Sequence, residues 1–372
     1  MTTYTPRSVP VTRRLLTARP LRLFSGAVGI GLALMLILLL DGLWVGVQDR
    51  VTTYEDHTGA ELAVVAPGTE NLFSDPGVLP SSAVSRVAAV RGVRWATGVR
   101  TTYAILELHG DKVAAALVGA VPSRPGGPWE LRAGRAPVTS DEVAVDGLLA
   151  DRHGLVVGDR LPVLGRPLRI VGLTTDTAMF MTPLVFLTHD GLTERLQATG
   201  TTGAVLVGSD SPAGTATRLR AAGFTVRTTA ELHSASLRLA TRIFGGPVRL
   251  MVGVGFVAGT LIVALVAHTL LTEQRRDLGV LKALGADDGR VRRMALAETA
   301  ALTGLGALAG VALMLVAQVV IAAWRPQFPI LLTGATVART ALAAAAMAVL
   351  AAWLPARRLA RLDAATAFRS ER

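Results

Sequence analysis

Two lysines, six histidines and the adjacent carboxylates Asp141-Glu142 are the groups from which chemistry could be built in this 372-residue chain. The phosphate-cradling loop of an ATPase needs Gly-Lys in sequence. Lys112 follows Asp111 and Lys282 follows Leu281, so that loop is excluded. The histidines, at 57, 109, 153, 189, 233 and 268, never fall at helical ligand spacing, and the chain has neither a G-x-S-x-G elbow nor an H-E-x-x-H pair. Cysteine is absent, which removes disulfides and thiolate metal sites. Asp141-Glu142 precedes an apolar run, and such a pair is expected to be a solvated turn. The reading is of a non-enzyme with no catalytic or metal-ligating residue and no cofactor of its own.

One stretch is patterned differently. In "EQRRDLGVLKALGA", 273–286, Leu278, Leu281 and Leu284 recur every three residues beside Val280, while Arg275, Arg276, Asp277 and Lys282 fall elsewhere on a helix that starts near Glu273. Gly285 can supply a left-handed cap, and Asp287 or Asp288 can cap the helix that follows. A short amphipathic helix of this kind either lies among lipid headgroups or docks its leucines into a groove on a cytoplasmic partner.

What positions it is membrane. Half the chain is hydrophobic, 51%, and four runs are long enough to span: 23–47, 250–271, 294–324 and 336–354. The first exceeds the ~7–15 residues of an export-signal core, and no A-x-A-like cleavage site follows it, so it reads as an uncleaved anchor. The expected fold class is an integral membrane α-helical protein with four transmembrane helices and a large extracytoplasmic α+β domain between the first and second. The segments read as a cytoplasmic stretch 1–22, the outer domain with its stalk at 49–242, a cytoplasmic helix and loop at 273–293 and a tail at 355–372.

Charge sets the orientation, because Lys and Arg in short flanks stay cytoplasmic. Segments 1–22, 273–293 and 356–372 hold ten of the eleven net positive charges, whereas 49–242 carries equal numbers of each sign. Both termini are therefore expected inside and the large domain outside, in a multi-pass protein of the cell membrane. The basic excess belongs at the lipid surface and does not mark a nucleic-acid partner.

In the outer domain "AELAVVA" and "YAILEL" read as strands, and Pro80-Ser81-Ser82 as the start of a capped helix ending before Gly92. From Gly134 to Leu173, "EVAV" reads as a strand, "DGLLADRHG" as a helix stopped by Gly154, and the remainder as two strands joined at Gly165-Arg166-Pro167. The expectation is a small sheet with a helix, not a βαβ nucleotide fold. A helix-like piece, "TTAELHSASLRLATRIF", leads into the second span as a stalk.

Within the spans, Gly42 and Gly46, Gly255 and Gly259, and Gly306 and Gly310 form G-x-x-x-G pairs that let helix backbones approach, in a bundle or a dimer. Asp41, His268 and Glu298 are the polar residues inside the spans to which a role attaches. They read as interfacial or interhelical groups, since an ionised carboxylate at mid-bilayer costs ~2.5–3.5 kcal/mol on insertion scales.

"EQRRDLGVLKALGADDGRVRRMALAE", 273–298, resembles the signature of the FtsX-like, MacB-type permeases of ABC transporters, roughly E-x-x-R-E-I-G-x-L-K-A-L-G-A-S with a glutamate entering the next span. The Gly134–Leu173 stretch is similar to that family's extracytoplasmic core, and "PARRLARLDAATAFRSE" to its ending. Asp277-Leu278 stands for Glu-Ile, Asp287 for Ser, Ala365 for Pro and Phe368 for Leu. The resemblance implies a permease subunit working as a homodimer or heterodimer with a separate cytoplasmic ATPase, which binds the ATP and Mg. Leu278, Leu281 and Leu284 would seat in the ATPase, with Arg275, Arg276 and Asp277 at the rim. An extracytoplasmic adaptor or substrate protein is a further implied partner. FtsX-like activation of a cell-wall hydrolase, or a membrane-tethered sensor without an ATPase, are the alternatives.

Overall fold

The computed structural model describes residues 20–273, 288–325 and 327–360. Among these, four helices are long and apolar enough to cross a membrane: α1 (Pro20–Val51), α7 (Thr229–Glu273), α8 (Asp288–Trp324) and α9 (Gly334–Ala360). The chain divides into two units, one containing the membrane helices and the other made of Gly46–Phe244 with Arg325–Pro329.

The outer unit runs α2 (Thr53–His57), β1 (Leu62–Val65), β2 (Leu79–Pro80), α3 (Ser82–Ala88), β3 (Trp95–Leu108), β4 (Asp111–Ala120), β5 (Leu131–Gly134), β6 (Glu142–Asp146), α4 (Gly147–His153), β7 (Arg160–Val163), β8 (Arg166–Thr174), β9 (Leu184–Thr188), α5 (His189–Arg195), β10 (Thr201–Thr202), β11 (Ala204–Gly208), α6 (Pro212–Ala221) and β12 (Thr225–Thr228). The small sheet expected is in fact ten-stranded, ordered β12-β1-β11-β3-β4-β9-β6-β8-β5 with β7 on β8. It is mixed: β4 with β9 and β6 with β8 are parallel, the other pairs antiparallel. Sequence reading missed its size because pairing across the chain leaves no local signal.

Alternation explains why its strands look uniformly apolar. Ala115 and Leu117 of β4, Val143 and Val145 of β6 and Val185 and Leu187 of β9 enter one core. Ala116, Val118, Ala144, Leu184 and Phe186 enter another on the opposite face, with Tyr54, Phe73 and Leu206. A sheet covered on both faces needs no polar alternation. Its hairpins are set by backbone chemistry: His109-Gly110 between β3 and β4, and Leu164-Gly165 between β7 and β8, all have positive φ, as a two-residue turn matched to strand twist requires. The second turn thus lies one residue earlier than expected, and Arg166 and Pro167 already belong to β8.

Helix α4 ends as its sequence implies. Asp146 accepts from the amides of Leu148 and Leu149, and Gly154 takes the left-handed cap at φ 65. Ser81 precedes α3 without a side-chain cap bond. The stalk and second span are one 45-residue helix, α7, with Pro247 inside it.

Candidate functional site

Within the membrane unit, the glycines permit close crossings. A Cβ on Gly306 would lie 2.5 Å from Ile30 Cγ2, and one on Gly310 2.8 Å from the Gly31 carbonyl oxygen. Gly31, not singled out in sequence, faces the backbone of Gly306 and Gly310 at 3.1 Å in turn. Gly259 sits against Ala33 and Met347, Gly255 against Leu36 and Ile37, and Gly42 against Ile330 and Leu331. The pairs on α7 and α8 thus pack those helices against α1 inside one chain, while Gly42 meets the connection that leads into α9. Gly46, in the outer unit, abuts Pro329.

Asp41 Oδ2 accepts from Arg339 Nε at 2.9 Å, joining α1 to α9. His268 is exposed on α7. Glu298 lies on α8, but its side chain is outside the described set, as is that of Glu273. Arg275, Arg276, Asp277, Leu278, Leu281, Lys282, Leu284 and Gly285 lie outside the described residues altogether.

Two carboxylates buried in the outer unit have opposite surroundings. Glu142 corrects the expectation of a solvated pair: Asp141 is exposed, but the Glu142 side chain is only 3% exposed. It accepts from both terminal nitrogens of Arg135, from Arg169 Nη2 at 3.0 Å and from the amides of Val138 and Thr139. The Arg135 bonds, more than any other contact, hold its pKa down to about 2. The missed signal was the pair of arginines, seven residues before and 27 after.

Glu55, on α2, is the reverse case. Its Oε1 accepts from Ser236 Oγ of α7 at 2.8 Å, Ser236 in turn accepts from Asn71 Nδ2 at 2.7 Å, and Oε2 has no partner. Burial pushes its pKa up, and the hydrogen bond from Ser236 and the charge of His233 only partly offset that. Nearby, Asp56 bonds both Thr52 and His233, and the Tyr54 hydroxyl donates to the Gly126 carbonyl.

The outer unit also holds a cavity of about 410 Å³, bounded by Arg50, Arg132, α4, the β8–β9 loop, Gln327 and Pro329. Its charged residues are scattered from Arg50 to Asp176, so no stretch of sequence announces it. Among the described residues no group of histidines and carboxylates is arranged to hold a metal ion.

Residues 24–222 match the family model described as MacB-like periplasmic core domain, and residues 249–364 match FtsX-like permease C-terminal. Among solved structures, the periplasmic region of MacB from Actinobacillus actinomycetemcomitans is 14% identical, with 47% of this chain and 93% of that one covered and a TM-score of 0.37. The extracellular domain of the noncanonic ABC-type transporter YknZ from Gram-positive bacteria is also 14% identical, with 45% and 98% covered and a TM-score of 0.35. No curated protein matches the chain.

Proposed function

This chain belongs to the MacB/FtsX-type permease family, and on that premise we propose that it is the membrane subunit through which a separate cytoplasmic ATPase moves an extracytoplasmic domain, for export or extraction of a substrate. The family is one of ABC-transporter permeases, multi-pass membrane proteins with an extracytoplasmic domain. In the proposed reading both termini are cytoplasmic, two permease chains meet in the bilayer, and nucleotide-driven closure of the ATPases acts on residues 273–285.

The observation that carries the coupling reading is α7. One helix bears Ser236, bonded to Glu55 in the outer unit, and ends at Glu273, where the leucine-striped stretch begins. At ~1.5 Å per residue its 45 residues reach roughly 65–70 Å, more than twice a hydrocarbon core. Gly245, Gly246 and Pro247 lie within it where the two units divide. Proline removes a ladder hydrogen bond and glycine loosens the backbone, so this is where α7 can bend as it transmits force.

Purification of the tagged chain in mild detergent tests the assignment. An ABC-type ATPase is expected to co-purify and to be lost from the Leu281→Asp variant. Recovery of no ATPase, with the chain folded and dimeric, would favour the tethered-sensor alternative.

A further inference from the structure

The cavity in the outer unit is built from six places in the chain: Arg50 near the end of α1, Val113 of β4, Arg132 of β5, Asp151 and Arg152 of α4, Asp176 to Pro183 between β8 and β9, and Gln327 with Pro329. Its volume lies within the ~300–1,000 Å³ typical of small-molecule sites. Leu148, Met181, Pro183 and Pro329 give it an apolar side. Asp176 and Met181 both have positive φ, at 56 and 55, and neither is glycine. Strained non-glycine residues of this kind gather at ligand clamps.

The charges are arranged in pairs. Arg50 Nη1 donates to Asp176 Oδ1 at 2.6 Å, and Arg132 donates through two nitrogens to the two oxygens of Asp151, both at 2.8 Å. Arg152 donates to Gln327 Oε1. Asp146, which also lines the cavity, is spent on capping α4 and on Thr177. An anion that captured Arg132 would take it from Asp151, and a cation that captured Asp151 would take it from Arg132. A ligand carrying both signs a few ångströms apart exchanges with both partners and gives each a new counter-charge. Gln327 and Pro329 lie in the short connection between two membrane-spanning helices, and Arg50 lies in the last turn of another. By chain connectivity these residues lie within a few positions of the ends of membrane-spanning helices.

We propose that this cavity binds the headgroup of a zwitterionic phospholipid of the outer leaflet, its phosphate on Arg132 and Arg50, its ammonium on Asp151 and Asp176, and its first methylenes on Leu148, Met181 and Pro329. The inference deepens the permease reading by naming the class of molecule the outer unit holds, and rests on it only for the side of the membrane that unit faces.

The test uses the full-length chain in amphipol without any ATPase. Dihexanoyl phosphatidylethanolamine, dihexanoyl phosphatidylglycerol and free phosphoethanolamine are titrated, with native mass spectrometry as the readout. Phosphatidylethanolamine is expected to bind ~10-fold or more tighter than phosphatidylglycerol and than phosphoethanolamine, one hydrogen-bonded charge pair and a few buried methylenes each accounting for about that factor. Arg132→Gln and Asp176→Asn should each weaken it ~5- to 10-fold, the loss of one charge-assisted bond. Because the side chains of Arg132 and Asp176 are 43% and 59% exposed, both variants are expected to fold.

Equal or tighter binding of phosphatidylglycerol would make this an anion site and overturn the proposal. Equal binding of phosphoethanolamine would point to a soluble ligand, and indifference to both variants would place the lipid elsewhere; either result overturns it. An ATPase that still co-purified in those cases would leave the permease reading standing.

Discussion

Strand β4 and helix α8 are both made largely of alanine, valine, leucine and glycine, yet one is hidden by its own chain and the other is not. Six consecutive residues of β4 are buried, between cores on both faces of the sheet. Only 17% of the most apolar stretch of α8 is buried, and Leu308 and Val319 are about 70% exposed. In water such a helix would be an aggregation hazard; in a bilayer its outward side chains are already solvated by lipid, and only close packing and polar groups hold it to its neighbours. Composition alone therefore does not distinguish a core from a lipid-facing surface. The polar partners do: the outer unit buries the carboxyls of Glu142 and Glu55 against hydrogen-bond donors from distant parts of the chain, while α1 and α9 share an ion pair, Asp41 with Arg339.

The sharpest way to break that contrast is at Gly306. Its Cβ position is already filled by Ile30, so Gly306→Leu should cost the bundle ~1–3 kcal/mol or more and cut the yield of folded protein. Gly304, two residues away, has nothing within 4 Å, and Gly304→Leu should be tolerated. Hydrogen exchange of β4 and β9 amides should be unchanged in both; altered protection there would show that the outer unit does not hold its own fold.

Glu142→Gln strikes the outer unit instead. It strands two arginines that are half exposed, so the cost should be nearer ~1–3 kcal/mol than the ~3–5 of a fully buried pair, read as faster exchange of β6 and β8 amides. Because the folded pKa is depressed to about 2, the stabilisation is present above the unfolded value near 4.3–4.5 and is lost as pH falls from there towards 2.

Glu55→Gln should act in the opposite sense and more weakly. A raised folded pKa contributes stability that is complete below the unfolded value and declines as pH rises through the folded one, so the amide should remove a loss of stability on the alkaline side. A thermal midpoint of the full chain followed across pH 5–8 checks the sign; a variant less stable than wild type at the upper end would contradict it. Smallest of all, Asp41→Asn should lower bundle stability by ~0.5–1 kcal/mol, since Arg339 is 56% exposed, and Arg339→Gln should not add to it.

Local chemistry made part of this legible in the sequence. Helix α4 could be read because Asp146 and Gly154 are cap residues a helix length apart, and the spans because nothing but length and apolarity is needed to recognise them. Glu142 was misread because its two arginines reach it only once β6 and β8 pair in parallel register. The size of the sheet, the opposed pKa shifts of Glu55 and Glu142 and the charge pairs around the cavity all depend on partners brought together only by the fold. The residues 275–285, which the sequence marks most clearly, are those of which the described structure says nothing.

The ATPase assay of the reconstituted complex is therefore the most direct test of coupling. With the cognate ATPase in proteoliposomes, wild-type permease should change the hydrolysis rate, and Leu281→Asp should abolish that change while the hydrogen-exchange pattern of the outer unit stays as it was. A Leu281→Asp chain that still bound the ATPase and modulated hydrolysis in full would contradict the account.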